Sequence, residues 1–377
     1  MRIGVDVAAA VNQRAGIGRY ARGVLGAFAA ADTRDWVLRV APRSNDNAYD
    51  GSQPAFTRGR DVVLPISERL LWIAWQRLRL PLPPDLLAAR LDVFYNPDFL
   101  LPRLAYAPGV CTVHDLGFMT VPECAFPKLR DLLSRAVPWS IARARLVMAV
   151  SEHTKRDLVA LLGVPPERIR VAGNAVDAVF QPVHDPAWRA AERRRLGLPA
   201  RFLLTVGTLE PRKNLVLLLE AMALLRDRGQ SIPLVVVGRE GWLYEPIYER
   251  VDLLRLRDDV HFWRHADDRD LLALYNLADV MVFPSLYEGF GVPPLEALAC
   301  GAIVVCSNAS SLPEVVGDAA LLIDPHDPAG LADAIERALR DEALRRTLAA
   351  RGPDQAGRYS WRASAASVLA ALREASG

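Results

Sequence analysis

Short apolar runs alternate with longer helical patterns along all 377 residues of this chain. Ile3–Val7, Trp36–Val40, Val93–Tyr95, Val110–Val113 and Leu146–Val150 read as strands of a first unit. Phe202–Val206, Leu234–Val237, Val260–Phe262, Val280–Phe283, Ile303–Cys306 and Ala320–Ile323 read as strands of a second. Helical patterns such as Tyr20–Ala30, Leu215–Arg228 and Asp270–Leu277 separate most of them. Repeated strand–helix–strand units build parallel sheets, so the expected fold class is α/β with two doubly wound domains. The break falls near residues 178–200, which carry Pro182, Pro186, the run Arg193-Arg194-Arg195 and Pro199. The expected domains are 1–180 and 181–358, followed by a helix in 359–377 that crosses back to the N-terminal domain. Two such domains leave a cleft, and ligands of doubly wound sheets bind at the carboxyl ends of strands.

The bulk properties exclude several classes. A 51% apolar and 24% charged chain with net charge +2 is an ordinary globular composition, and nothing in it calls for a nucleic-acid partner. Residues 1–185 hold 23 Lys/Arg against 18 Asp/Glu, and the remainder 23 against 26. A mildly basic N-terminal half suits an anionic surface or acceptor, and equally fits scatter in an Arg-rich sequence. Cys111, Cys124, Cys300 and Cys306 form no Cys-x-x-Cys pair and read as reduced core residues of a cytosolic protein. The start, Met1-Arg2-Ile3-Gly4-Val5-Asp6, reads as a strand rather than a signal peptide. No apolar run approaches the roughly 20 residues of a membrane span.

The densest motif is Phe283-Pro284-Ser285-Leu286-Tyr287-Glu288-Gly289-Phe290-Gly291-Val292-Pro293-Pro294-Leu295-Glu296. A strand runs into a Gly-rich turn, and Pro293 and Pro294 open a helix where a missing N–H costs nothing. Glu288 lies in the turn and Glu296 in the first helical turn, so backbone amides and two carboxylates converge at a strand's carboxyl end. Amides there suit an anion and carboxylates suit hydroxyls, which describes a sugar phosphate or nucleotide sugar. A second motif, Thr205-Val206-Gly207-Thr208-Leu209-Glu210-Pro211-Arg212-Lys213-Asn214, puts two cations where a helix begins. Alone that is equally a solvated basic turn; beside two glutamates it reads as a diphosphate site.

Three weaker signals lie in the N-terminal half. Arg14-Ala15-Gly16-Ile17-Gly18-Arg19-Tyr20 follows the first strand, and its glycines permit close approach of a ligand or form a plain turn. It lacks the third glycine of a dinucleotide fingerprint, which weakens a dehydrogenase reading. Val113-His114-Asp115-Leu116 ends a strand, where a lone His is more often structural. Ile66–Leu80 interleaves Trp72 and Trp75 with Arg69, Arg77 and Arg79. That is either a core helix with exposed arginines or a helix resting on a membrane surface or apolar acceptor. No nucleophilic triad and no metal-ligand spacing is evident. Asp267-Asp268-Arg269-Asp270 reads as a helix-capping segment.

Val206–Asn214, Phe283–Glu296 and Ser307-Asn308-Ala309-Ser310-Ser311-Leu312-Pro313-Glu314 closely resemble the family 4 glycosyltransferases, retaining enzymes of the GT-B fold with two Rossmann-like domains. The likeness extends to the glycine loop, Val113–Leu116, Ala149-Val150-Ser151 and Tyr359-Ser360-Trp361, and so covers nearly the whole chain. One departure is Ala175, where the family usually has Gly. The resemblance implies that Glu288 binds donor-sugar hydroxyls, Glu296 the ribose, and Arg212 and Lys213 the diphosphate. Gly207, Gly289, Phe290 and Gly291 would line the sugar and phosphate. Gly16 and Gly18 would let the N-terminal loop touch the phosphates, and His114 would face the sugar across the cleft. The implied catalytic set is His114, Glu288, Arg212 and Lys213.

Retaining enzymes of this fold are described without an enzymic nucleophile, and no metal or other cofactor is implied. Within the family the motifs look most like bacterial mannosyltransferases of surface-polysaccharide assembly. That points to GDP-mannose as donor, a glycan or lipid-linked glycan as acceptor, and a cytoplasmic protein at the inner face of the plasma membrane. A nucleotide-sugar 2-epimerase and a non-catalytic nucleotide-sugar-binding scaffold are the alternatives.

Overall fold

A computed structural model describes residues 1–13, 16–30, 36–43, 59–67, 70, 84–86 and 90–377. The chain packs as two compact units. The first comprises Met1–Leu116, Lys128–Ala175 and Ser360–Gly377, and the second Gly117–Pro127 and Val176–Tyr359. Gly117–Pro127 thus groups with the second unit although it lies within the expected block 1–180.

The first unit is built on β1 (Arg2–Asp6), β2 (Trp36–Arg43), β3 (Gly59–Ser67), β4 (Val93–Asn96), β5 (Gly109–Val113), β6 (Ala144–Ala149) and β7 (Ile169–Val171). They form one sheet in the order β3-β2-β1-β4-β5-β6-β7, parallel throughout. β4 and β5 are buried along their whole length, as central strands covered on both faces must be. The helix Ile17–Ala30 buries Tyr20, Ala21, Val24, Leu25 and Phe28, one stripe at helical spacing. It packs against the last helix, Trp361–Ser376, which buries Val368, Leu369 and Leu372 and also touches β4 to β7.

β3 and β7 are additions to the strands expected from sequence. Both are sheet edges: β3 carries Arg60, Asp61 and Pro65, and β7 has three residues. Edge strands tolerate charge, proline and brevity: Pro65 breaks the apolar run of β3 after Val62-Val63-Leu64, and Arg170 interrupts the three residues of β7. Ile66 and Ser67 therefore end a strand rather than start a helix. Arg69, Trp72, Trp75, Arg77 and Arg79 lie outside the described residues, as do Arg14 and Ala15.

The second unit contains β8 (Leu203–Val206), β9 (Leu234–Val237), β10 (Val260–Trp263), β11 (Val280–Phe283), β12 (Val304–Ser307) and β13 (Leu321–Ile323). Their order is β10-β9-β8-β11-β12-β13, again all parallel. The helix Leu215–Asp227 is apolar almost all round and correspondingly buried, in one core with Leu203, Val236, Val280, Val305 and Ile335. Part of the stretch expected to be a linker is the helix Pro186–Arg195, capped by Asp185 and ending in its three arginines, where the helix dipole favours cations. Asp267 and Asp270 form a reciprocal capping box on the helix Asp268–Leu277.

All four cysteines are buried and unpaired. Among the described residues no helix is long and apolar enough to cross a membrane, and no three His, Cys, Asp or Glu side chains gather as metal ligands.

Candidate active site

β8 and β11 are neighbours, yet the chain leaves β8 toward β9 and β11 toward β12. Where the strand order reverses in this way, a crevice opens beyond the carboxyl ends of the two strands. Those ends are Val206 and Phe283, and the loops that follow are Gly207–Asn214 and Pro284–Gly291. Sheet order alone therefore brings the two strongest motifs together.

Hydrogen bonds weld the loops. The Leu286 N–H donates to the Arg212 carbonyl at 2.9 Å. Asn214, in the left-handed region at φ 55°, joins the turn Pro211–Lys213 to the helix Leu215–Asp227. Its amide donates to the carbonyls of Pro284 at 3.1 Å and Pro325 at 2.7 Å. Gly207 follows β8 and donates to the Val237 carbonyl at 2.8 Å.

At the centre, Glu288 is gripped by both cations. Its Oε1 lies 2.6 Å from Lys213 Nζ and its Oε2 lies 2.9 Å from Arg212 Nη1. Arg212 Nη1 also donates to the Tyr287 carbonyl at 2.8 Å, while Nη2 donates to Glu210 Oε1 at 2.6 Å. Lys213 Nζ stands 4.8 Å from the centre of the Phe283 ring, a cation–π distance. Burial pushes the Glu288 carboxyl up, but the charges of Arg212 and Lys213 outweigh it and bring the group down to about 2. Two buried carboxylates and two half-buried cations thus balance in one ion-paired cluster.

The turn after Glu288 is held from behind. Its N–H donates to Ser310 Oγ at 2.8 Å, and the Ser311 hydroxyl reaches the carbonyls of Glu288 at 2.9 Å and Phe290 at 2.8 Å. Phe290 meets Tyr359 edge to face with ring centres 5.3 Å apart. Gly289 lies between these anchored residues. Gly291 precedes the helix Val292–Ala299 at φ 103°, where a side chain would be strained, and a Cβ would stand 2.6 Å from Leu312. Glu296 is buried in the first turns of that helix and accepts from the Tyr275 hydroxyl at 2.9 Å.

A family model described as Glycosyltransferase Family 4 matches residues 14–180, and one described as Glycosyl transferases group 1 matches residues 189–355. The O-antigen chain mannosyltransferase B of Escherichia coli is 36% identical over 273 residues, 71% of this chain and 71% of that one. The chain is a family 4 glycosyltransferase. The serotype-specific mannosyltransferase WbdA of Escherichia coli is 34% identical over 264 residues, 67% of this glycosyltransferase but 32% of WbdA. Sucrose-phosphate synthase from Thermosynechococcus elongatus shares the fold at a TM-score of 0.80 and 22% identity, covering 99% of this chain and 98% of that one. The fold is accordingly GT-B, and the enzyme class is hexosyltransferase.

The remaining expected site residues of the glycosyltransferase belong to the first unit. His114 is buried between Tyr20 and Phe99, with ring centres 5.1 and 5.6 Å away. Its Nε2 lies 2.8 Å from the Pro97 carbonyl, which can only accept, so Nε2 carries the hydrogen. Burial depresses the ring's basicity, against the pull of Asp98, the Pro97 carbonyl and Asp115. Gly16 stands at φ 51° just before the helix Ile17–Ala30, with open space where a Cβ would project. Gly18 has a structural reason to be glycine: a Cβ would lie 1.8 Å from the Gln13 carbonyl oxygen.

Four residues that organise the site were not singled out from sequence. Glu210 holds Arg212, Tyr275 holds Glu296, and Ser310 and Ser311 hold the Glu288 turn. Glu210 and the serines sit inside the recognised motifs, so their positions carried a signal without a role. Tyr275 sits in an ordinary amphipathic helix and carried none.

Proposed function

We propose that this glycosyltransferase moves mannose from GDP-mannose to a glycan acceptor, with retention of anomeric configuration. The observation that carries the reading is the meeting of Arg212 and Lys213 with Glu288 at the reversal of strand order, with Glu296 on the adjoining helix. The cations suit the diphosphate, Glu288 the sugar hydroxyls and Glu296 the ribose hydroxyls. In this reading the backbone of Gly207, Gly289, Phe290 and Gly291 would line the donor's sugar and phosphates. Mannose as the sugar is supported by the two relatives named as mannosyltransferases. A surface polysaccharide as the product, and a glycan or lipid-linked glycan as the acceptor, rest on the same likeness.

In the proposed reaction the acceptor oxygen bonds to the sugar's anomeric carbon as the bond to the phosphate oxygen breaks on the same face. The acceptor's proton passes to the departing phosphate oxygen. Negative charge grows on the diphosphate, and Arg212 and Lys213 stabilise it where it develops. The protein otherwise contributes positioning.

The test is a thermal-shift panel followed by a transfer assay. GDP and GDP-mannose should raise the melting temperature more than UDP, UDP-glucose or GDP-fucose, because a ligand of the native state stabilises by mass action. Incubation with GDP-mannose and a mannan acceptor should release GDP and give an α-linked product. A UDP preference overturns the base, and a β-linked product overturns retention.

A further inference from the structure

The cluster at Glu288 raises a problem of charge. Arg212 and Lys213 supply two positive charges, and Glu210 and Glu288 already cancel both. A diphosphate added to a neutral cluster gains little attraction. It can, however, take the place of one carboxylate, and the two carboxylates are not equivalent.

Glu210 adjoins the turn that carries Arg212 and is 2% exposed, with the Lys213 N–H bonded to its own carbonyl at 3.1 Å. It grips the Nη2 side of the guanidinium from the start of the same turn, so it travels with Arg212. Glu288 comes from the other loop, is 7% exposed, and occupies Nη1 of Arg212 and the ammonium of Lys213 together. Those are two donors on one edge, the pattern a phosphate takes. The Glu288 carboxylate is thus held where a diphosphate would be held.

We propose that Glu288 is an exchangeable stand-in for the diphosphate, and that the exchange makes the site hold a nucleotide sugar while releasing the spent nucleoside diphosphate. This deepens the donor-site reading above and rests on it. When the intact donor enters, its phosphates displace Glu288 from the cations, and the freed carboxylate finds new partners in the sugar hydroxyls. After transfer the sugar is gone. A displaced Glu288 then has no donor to bond, and an unpartnered buried carboxylate is costly. It returns to Arg212 and Lys213 and competes the product off. The same residue therefore discriminates substrate from product through the presence of the sugar alone.

The test compares wild type with Glu288→Gln by calorimetry, using inorganic pyrophosphate, GDP and GDP-mannose. Glutamine keeps the shape and removes the competing charge. Pyrophosphate and GDP should bind the variant about tenfold more tightly, because the charge-assisted competitor is gone. The preference for GDP-mannose over GDP should shrink or reverse. Unchanged or weaker pyrophosphate binding by the variant overturns the exchange. Pyrophosphate carries neither base nor sugar, so tighter pyrophosphate binding with no response to GDP-mannose supports the exchange and overturns only the donor assignment. A second measurement needs no variant: in a crystal of wild type with pyrophosphate, Glu288 should have left both cations. Glu288 still bonded to Arg212 and Lys213 beside bound pyrophosphate overturns the proposal.

Discussion

The Tyr275 hydroxyl donates a hydrogen bond to Glu296 Oε2 at 2.9 Å, and both side chains are buried. Tyr275 lies on the helix Asp268–Leu277 and Glu296 on Val292–Ala299, so one carboxylate oxygen is spoken for by the fold. Tyr275→Phe removes that hydroxyl with little change of volume. The variant should bind GDP about threefold to tenfold more weakly, the worth of one ordinary hydrogen bond. With 2′,3′-dideoxy-GDP the variant and wild type should bind alike. An equal loss for both nucleotides would mean that Tyr275 acts on packing rather than through the ribose.

Arg212→Ala should weaken nucleoside diphosphate binding about tenfold to a hundredfold, since a charge-assisted contact is lost. It also strips Glu210, 2% exposed, of its ion-pair partner and should lower stability. Arg212→Lys keeps the charge but not the two-nitrogen split between Glu210 and Glu288, and should fall between. Unchanged affinity of Arg212→Ala by calorimetry removes the diphosphate assignment.

Acid stability follows from Glu288. The group lies at about 2 in the folded chain against 4.5 for an unperturbed glutamate. A depressed carboxylate contributes stability that is complete above the unfolded value and drains away as pH falls through the folded one. The contribution is about 3 kcal/mol. Wild type should lose it between pH 4.5 and 2. Glu288→Gln should start less stable at neutral pH and converge with wild type near pH 2, as read from urea midpoints across that range. Parallel curves would deny the coupling to Arg212 and Lys213.

Gly18→Ala forces a Cβ to 1.8 Å from the Gln13 carbonyl oxygen and 2.9 Å from that of Ala9, both backbone atoms. The expected cost exceeds about 2 kcal/mol, visible in thermal melts, with nucleotide affinity of the folded fraction unchanged. Gly16→Ala meets no atom and should cost only about 1 kcal/mol for its φ of 51°. A stable Gly18→Ala that no longer binds nucleotide would make Gly18 a ligand contact instead.

Transfer should persist at full rate in EDTA, because Arg212 and Lys213 supply the positive charge that a divalent ion brings to other diphosphate sites. Loss of activity on chelation, restored by magnesium or manganese, would overturn the reading that needs no metal.

Local chemistry made much of the molecule readable in advance. Val280–Phe283 and Leu234–Val237 are unbroken apolar runs because parallel strands are covered on both faces, and they are strands with those bounds. Asp267 and Asp270 announced their helix because a cap depends on neighbours within one turn. β3 and β7 carry a weaker signal because an edge strand tolerates the proline and charge that interrupt their apolar runs.

Read alone, the sequence determined two doubly wound units, the loops that end β8 and β11, and the residue types suited to phosphate and sugar. Each of these is a matter of short-range pattern. Tertiary structure alone decided which charges meet. Lys213 and Glu288 are 75 positions apart, and their 2.6 Å contact exists because β8 and β11 are adjacent at the reversal of strand order. Strand order is set by how helices pack on both faces of the sheet, a balance of long-range contacts that no local pattern encodes. The same holds for Glu210 behind Arg212 and Tyr275 behind Glu296, partners whose roles appear only once the loops and helices are in place.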